Sequence, residues 1–302
     1  ARTAPASDLR THLVLSPATS PASAMHYQRT PLGEARIRWI PLWLIAAAAV
    51  FGPLLWWIGR NTGLQDPDAL GLGAVFYGTL LAWVAWQVRR SGGRWDVLTG
   101  PVRSRRDWYA ALWSVPLLAL AIGSLWGDYF VRDAIWPGYV PDVLHNDPDD
   151  LLPRGRAYQA LVVLEAVVLA PVVEELVFRG VVLHRWAAKW GLVPAALASS
   201  ILFGIMHAGE LESMVFGLAM VLLYLRTGTL WVPIAAHVLN NAVGVALALT
   251  GSDAPPDESL EAALASFREM WWLGALCLTV GLTLLPLFFR RYGSALRGWL
   301  PV

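Results

Sequence analysis

The sequence has few charged residues and almost no cysteine. Only 15% of its 302 residues are charged, whereas a soluble domain typically carries about 25%. The formal net charge of +1 offers no bulk attraction to nucleic acid, so we expect no such partner. A lone cysteine, Cys277, excludes an intrachain disulfide and a thiolate metal cluster. Residues 1–36 lack the apolar run of a signal peptide, and their polar composition predicts a disordered cytoplasmic tail.

Apolar residues are abundant instead. They make up 56% of the chain, and the mean hydropathy is +0.50. Because a bilayer span needs about 20 mostly apolar residues, the sequence offers eight candidates: 37–58, 69–88, 108–126, 157–186, 192–208, 213–225, 230–249 and 271–289. We therefore predict an all-α, polytopic membrane bundle of about eight helices over residues 37–291, with a C-terminal cytoplasmic tail at 292–302. Six or seven spans with one interfacial segment is the alternative.

Positive charge alternates between successive loops. The loop after the second span contains six arginines: Arg89, Arg90, Arg94, Arg103, Arg105 and Arg106. The loops after the third and fifth spans, and before the eighth, are acidic or nearly neutral. Cytoplasmic loops carry the excess of Lys and Arg, so both termini are predicted to be cytoplasmic. The composition favours a multi-pass protein of a plasma membrane, most simply a bacterial inner membrane.

The fourth span holds three ionisable residues within six positions, Glu174, Glu175 and Arg179. Each costs roughly 2.5–3.5 kcal/mol at the bilayer centre, which makes function the first hypothesis. Glu175 and Arg179 are four residues apart, share a helix face and can pair. Glu174 points elsewhere without a local partner, and such a buried carboxylate can exchange protons near neutrality. Glu165, nine residues earlier, falls on the opposite side of a regular α-helix and reads as an interfacial acid.

The fifth span ends near His207, which shares a helix face with Phe203 four residues earlier. With the intervening turn near Trp190, Glu174 lies sixteen residues before it and His207 seventeen after it. In an antiparallel hairpin with a rise of about 1.5 Å per residue, both reach roughly 20 Å from the cytoplasmic helix ends. The register therefore predicts that the carboxylate and the imidazole lie at one depth.

The seventh span adds His237 and Asn241, four residues apart on one face. They lie roughly 12–18 Å deep by the same rise, so three spans bring polar groups to one slab of membrane. Glu174 can activate a water as general base, with His207 orienting it or sharing its proton. His237 and Asn241 can donate hydrogen bonds to a developing oxyanion. The matching reaction is hydrolysis of a peptide bond.

The residue types leave one other chemistry open and disfavour several more. Glu174, His207 and His237 are also a usual donor set for catalytic zinc, and residue types alone leave that alternative open. The sequence has no H-E-x-x-H helix, no Gly-x-Ser-Gly segment and no pair of intramembrane aspartates. Cys277 has no histidine near it in its span. These observations disfavour the other intramembrane protease types.

Three ordered motifs on successive predicted helices resemble the CPBP family of intramembrane endopeptidases. They are Glu174-Glu175-x-x-x-Arg179, Phe203-x-x-x-His207 and His237-x-x-x-Asn241. This family includes the type II CAAX prenyl proteases and bacteriocin-processing or self-immunity proteins, and is also called the Abi family. The resemblance covers about residues 157–249, roughly a third of the chain, and implies a catalytic core at 157–250 within a bundle of about eight spans.

The resemblance also implies roles by position. Glu174 is the water-activating base with His207 assisting, and His237 and Asn241 form the oxyanion hole. Supporting roles fall to three further residues: Glu175, Arg179 and Phe203. The implied enzyme is a glutamate-dependent endopeptidase without a metal cofactor, although the family was once classed as metalloproteases.

Its implied partner is a membrane-associated or lipid-modified protein or peptide, whereas a prenylated substrate does not follow. Two other functions fit the same polar groups. One is a non-proteolytic immunity or scaffold protein of the same fold. The other is a proton-coupled transporter with Glu174 and the histidines as a relay. Residues 128–156 lie outside the resemblance and read as a connecting loop, with an interfacial lid as the alternative.

Overall fold

The computed structural model describes residues 35–62, 67–102, 104–136, 156–207, 211–251, 265 and 268–297. Its main helices are α1 (Ile40–Thr62), α2 (Pro67–Arg90), α3 (Trp95–Thr99), α4 (Arg105–Tyr109), α5 (Ser114–Ile135), α6 (Arg156–Leu164), α7 (Ala170–Glu175), α8 (Leu183–Trp190), α9 (Leu192–Met206), α10 (Leu211–Thr227), α11 (Trp231–Gly251) and α12 (Trp271–Tyr292). No strand occurs in these ranges, so the predicted all-α class is confirmed. The predicted tail up to residue 34 and residues 137–155 of the predicted loop at 128–156 lie outside the described residues. The first part of that predicted loop, up to Ile135, is instead the end of α5.

Each of the eight predicted spans coincides with a helix or helical run. Three helical segments of the described ranges are long and apolar enough to cross a membrane: Ile37–Trp57, Arg105–Ile135 and Trp271–Arg297. Two shorter apolar helices are Leu192–Met206 and Trp231–Leu247. The chain is thus a polytopic helical membrane protein. Large apolar side chains on the outside of these helices, such as Ile45 and Leu282, suit a hydrocarbon solvent.

A single bent helical run, which we call the site helix, extends from Arg156 to Trp190 through α6, α7 and α8. Two π-helical turns, Glu165–Leu169 and Leu176–Val182, flank α7. Pro171 is the second residue of α7 and lacks the N–H that would continue a regular ladder. π-helical turns are rare and occur frequently at functional sites. They widen the helix on both sides of Glu174 and Glu175.

Helices α9, α10 and α11 enclose the site helix, and the α3 segment packs across its π-helical turn at Leu176–Val182. The amide of Leu230 donates to the carbonyl of Thr99 at 2.7 Å. The Thr229 hydroxyl lies 3.0 Å from the carbonyls of both Thr99 and Gly100. Gly100 has φ +68°, and a Cβ there would collide with the carbonyl of Gly228. The α3 segment therefore fixes the turn that leads into α11.

The bundle continues beyond the predicted boundary at residue 291. Helix α12 extends to Tyr292 and is followed by a 3-10 turn at Gly293–Arg297. The Tyr292 ring is buried and stacks on Phe288 with centroids 4.8 Å apart. Residues 292–297 therefore pack as part of the fold, because an aromatic ring at the end of α12 finds an apolar partner one turn back.

Helix α12 packs along α5 through glycines on both helices. A Cβ at Gly123 would lie 2.5 Å from the Cα of Leu278, and one at Gly281 would lie 2.6 Å from the Cα of Leu120. Because helices gain little from a hydrophobic effect inside lipid, small residues that allow close backbone approach are a main source of association.

We expect Gly123→Ala to lower the thermal unfolding midpoint in detergent, because the added methyl group forces α5 and α12 apart. Overpacking of this kind costs about 1–3 kcal/mol. Gly127→Ala is the matched control one turn away, where a Cβ meets nothing within 4 Å. It should leave stability unchanged or raise it by up to about 1 kcal/mol, since alanine favours a helix. Equal midpoints for the two variants would contradict the close approach.

Candidate active site

The ion pair that the i,i+4 spacing predicts is present and buried. Arg179 Nη1 donates to Glu175 Oε1 at 2.9 Å, and both side chains are at most 1% exposed. His237 Nδ1 lies 3.0 Å from the same oxygen, and Arg179 Nη2 donates to the Gly217 carbonyl at 3.0 Å. Each additional hydrogen bond offsets part of the desolvation cost of a buried pair. The pair therefore joins the site helix to α10 and α11.

Phe203 packs at the centre of this junction, as the sequence predicts. The Arg179 guanidinium lies 4.8 Å from its ring centroid, within cation–π range. The His207 ring stacks on it with centroids 4.2 Å apart. Phe216 packs edge-on against His237 at 4.9 Å. These aromatic contacts fix the positions of both imidazole rings, and the ring nitrogens project from an apolar surface.

Glu174 faces away from the ion pair and towards both histidines. Its Oε2 lies 3.7 Å from His207 Nε2 and 3.8 Å from His237 Nε2. Within the described residues this oxygen has no hydrogen-bond partner. Polar atoms separated by more than 3.5 Å are commonly bridged by one water. The side chain of Glu174 is 12% exposed, that of His237 4% and that of His207 38%, so the site opens beside His207.

The tautomers of the two histidines follow from their other contacts. His207 Nδ1 lies 2.8 Å from the carbonyl of Phe203, which can only accept, so Nδ1 carries a hydrogen. His237 Nδ1 faces the carboxylate of Glu175 and donates in the same way. In a neutral imidazole the remaining Nε2 atom is an acceptor. Three acceptors therefore converge, and a molecule that donates hydrogen bonds, such as water, matches them.

Asn241 makes a hydrogen bond that the sequence does not predict. Its Nδ2 donates to the Ala166 carbonyl at 2.8 Å. That carbonyl lies where the ladder of the site helix is broken: the Ala170 amide bonds to Glu165, and Pro171 has no N–H. The residues four and five positions after Ala166 are Ala170 and Pro171, and neither donates a backbone hydrogen bond to its carbonyl. Asn241 supplies it, and one of its two amide hydrogens is already used.

Sequence reasoning missed Tyr77. Its hydroxyl donates to Glu174 Oε1 at 3.0 Å from α2, 97 residues away along the chain. Glu174 thus has a non-local partner where none was expected. The available signal was a tyrosine within an apolar span, because a buried hydroxyl generally finds a hydrogen-bond partner. The position of Tyr77 in the sequence does not indicate which residue accepts its hydrogen bond.

The prediction that Glu165 lies on the opposite side of the helix from Glu174 is wrong. The Glu165 carboxylate lies against Gly73 of α2, where a Cβ would collide with it. Gly73 is one turn before Tyr77, so Glu165 packs on the helix that also contacts Glu174. The reason is the π-helical turn at Glu165–Leu169, which rotates the chain by fewer degrees per residue than the α-helix assumed in the sequence argument.

Zinc is the alternative that the donor types of the site leave open. Among the residues that the structure describes, no group of three or more His, Cys, Asp or Glu side chains is placed to hold a metal ion. Glu174, His207 and His237 supply the right donor types. Oε1 of Glu174 accepts from Tyr77, and Oε2 faces the two imidazoles. No step of the chemistry below is assigned to a metal.

A double-mutant cycle of Asn241 and Pro171 tests the hydrogen bond from Asn241 to the carbonyl of Ala166. We expect Asn241→Leu to lower the free energy of unfolding by about 1 kcal/mol, because it leaves the partly buried carbonyl of Ala166 without a donor. In a Pro171→Ala background the new N–H can serve Ala166, so the same change should cost less. Unfolding in detergent for the four members of this cycle gives the coupling. An equal cost in both backgrounds would contradict the assignment.

Comparison with known proteins finds similarity in the part of the chain that contains the site helix. The family description "Type II CAAX prenyl endopeptidase Rce1-like" matches residues 156–243, which hold the site helix and its partners on α9, α10 and most of α11. The protein "Putative membrane peptidase YdiL" of Bacillus subtilis (strain 168) is 33% identical over 92 residues, covering 30% of this chain and 38% of that protein. This chain therefore aligns with less than half of that relative. No solved structure matches significantly. Residues 156–243 are therefore similar to the CAAX-protease-like family that the three motifs resemble.

Proposed function

We propose that the chain is an intramembrane endopeptidase that cleaves a membrane-associated or lipid-modified protein or peptide with water activated by Glu174. The observation that carries this proposal is the convergence of Glu174 Oε2 and the Nε2 atoms of His207 and His237 within 3.7–3.8 Å. A water between them can donate to the carboxylate and to an imidazole. The matching family at 156–243 supports peptidase chemistry.

The hydrolysis balances on these groups. Water gives one proton to Glu174 as its oxygen forms a bond to the scissile carbonyl carbon, and His207 orients the water through Nε2. The carbonyl π electrons move to oxygen and form an oxyanion. As the oxyanion collapses, the C–N bond breaks and Glu174 returns the proton to the leaving nitrogen. The products are a carboxyl terminus and an amine.

His237 can stabilise the oxyanion in its protonated form. Its Nδ1 hydrogen is held by Glu175, so only an imidazolium has a second hydrogen at Nε2 to donate. Glu175 is suited to stabilise that cation. Asn241 can offer only the amide hydrogen that Ala166 does not use. Donors aimed at a developing oxyanion in a dry site are worth roughly 3–4 kcal/mol each.

The ion pair has a supporting function in this scheme. Glu175 and Arg179 neutralise each other, so the helix presents one further carboxylate, Glu174, to the reaction. We also propose that the protein resides in the plasma membrane with both termini cytoplasmic, as its arginine-rich second loop favours. The exposed edge of His207 is then the side from which a substrate reaches the site.

Glu174→Gln should reduce kcat at least 10²-fold, because the amide keeps the shape but cannot accept the proton. The measurement uses protein purified in detergent and fluorescence-quenched peptides with and without an attached acyl chain. Asp96→Asn, an exposed carboxylate paired with Arg94 in the cytoplasmic loop, is the control that should keep full activity. Wild-type turnover in the Glu174→Gln variant would overturn the proposal.

Chelation tests the metal-independent form of the mechanism. We expect EDTA and 1,10-phenanthroline to leave kcat unchanged in purified protein, because the proposed steps need only the carboxylate and imidazoles. The unfolding midpoint should also stay constant. Complete loss of activity that added zinc restores would show that Glu174 and the histidines act as metal ligands instead.

A further inference from the structure

We propose that Tyr77 is a positioning residue for Glu174, holding the carboxylate in the orientation that directs Oε2 at the histidines. This inference rests on the proposed function of Glu174. It also extends the site to α2, which lies outside the segment matched by the peptidase family. The hydrogen bond from the Tyr77 hydroxyl to Glu174 Oε1 measures 3.0 Å.

The need for such a residue follows from the surroundings of Glu174. Arg179 is engaged by Glu175 and Gly217, so within the described residues no arginine or lysine donates a hydrogen bond to the Glu174 carboxylate. The two Nε2 atoms are too distant from Oε2 for direct hydrogen bonds. The terminal torsion of a glutamate is broad, so the carboxylate plane would turn freely. One hydrogen bond to Oε1 fixes that plane and therefore the direction of Oε2.

Tyr77 is itself held firmly. Its ring packs edge-on against Phe76 with centroids 5.2 Å apart, and α2 contacts both α7 and the π-helical turns beside it. The close approach of α2 to the site helix is permitted by Gly73, against which the Glu165 carboxylate lies. The side of the site away from His207 is therefore built by the N-terminal helical pair, whose α1 packs on α2.

A second buried tyrosine shows what a purely structural hydroxyl looks like. Tyr224 on α10 is 1% exposed, and its hydroxyl lies 2.8 Å from Nε2 of His184 on α8. Neither of these residues has a hydrogen bond or ion pair to Glu174 among the described contacts. Tyr224 therefore provides a control tyrosine: its hydroxyl is paired with His184, and its side chain is more deeply buried than that of Tyr77.

The test compares Tyr77→Phe with Tyr224→Phe in the quenched-peptide assay. We expect Tyr77→Phe to lower kcat by about 10–100-fold with KM within about twofold, because a misplaced base costs rate and not binding. Tyr224→Phe should lower the unfolding midpoint but keep kcat. If the two variants lose stability equally and neither loses kcat, or if both lose kcat equally, Tyr77 has no positioning role.

Two further variants separate the loss of the hydrogen bond from misfolding of Tyr77→Phe. 4-Aminophenylalanine at position 77 keeps a hydrogen-bond donor at the same place, and 4-methylphenylalanine fills the same volume without one. The amino variant should restore kcat to within a few-fold of wild type and the methyl variant should not; equal kcat values for the two would overturn the proposal. Failure of the proposed function itself is distinct, because Glu174→Gln would then match wild type.

Discussion

The structure depends on one buried ion pair in an apolar helix. Glu175 and Arg179 are buried inside the helical bundle, and neither can be left without a partner there, since breaking a buried pair costs about 3–5 kcal/mol. Their remaining hydrogen bonds recruit His237 from α11 and the Gly217 carbonyl from α10. Phe203 covers the guanidinium and in turn stacks against His207. The pair thus sets where the two imidazoles lie before any chemistry is considered.

The same pair isolates Glu174. Since Glu175 takes the arginine, its neighbour is left to contact α2 with one oxygen and the histidines with the other. The π-helical turns on both sides of α7 make this possible, because they rotate consecutive side chains towards different helices. The break in the ladder at Pro171 creates an unsatisfied carbonyl, and Asn241 satisfies it. Helix irregularity and site geometry are therefore coupled through named hydrogen bonds.

Sequence reasoning reached the parts of the site that are set by local spacing. The i,i+4 rule predicted the Glu175–Arg179 contact and the shared face of Phe203 and His207, and hairpin register brought Glu174 level with His207. It could not reach Tyr77, whose contact depends on how α2 docks against a helix 97 residues away. It also misplaced Glu165, because a constant 100° per residue does not hold through a π-helical turn. Pro171 was the visible signal of that irregularity.

The central claim is that Glu174 acts as a base on water and does not attack the substrate itself. Single-turnover cleavage in H₂¹⁸O, followed by mass analysis of the product and of the proteolysed enzyme, separates these two cases most directly. The account predicts that ¹⁸O enters the new carboxyl group of the cleaved peptide and that Glu174 remains unlabelled. Incorporation of ¹⁸O into the Glu174 side chain would indicate an acyl-enzyme intermediate and would contradict the account.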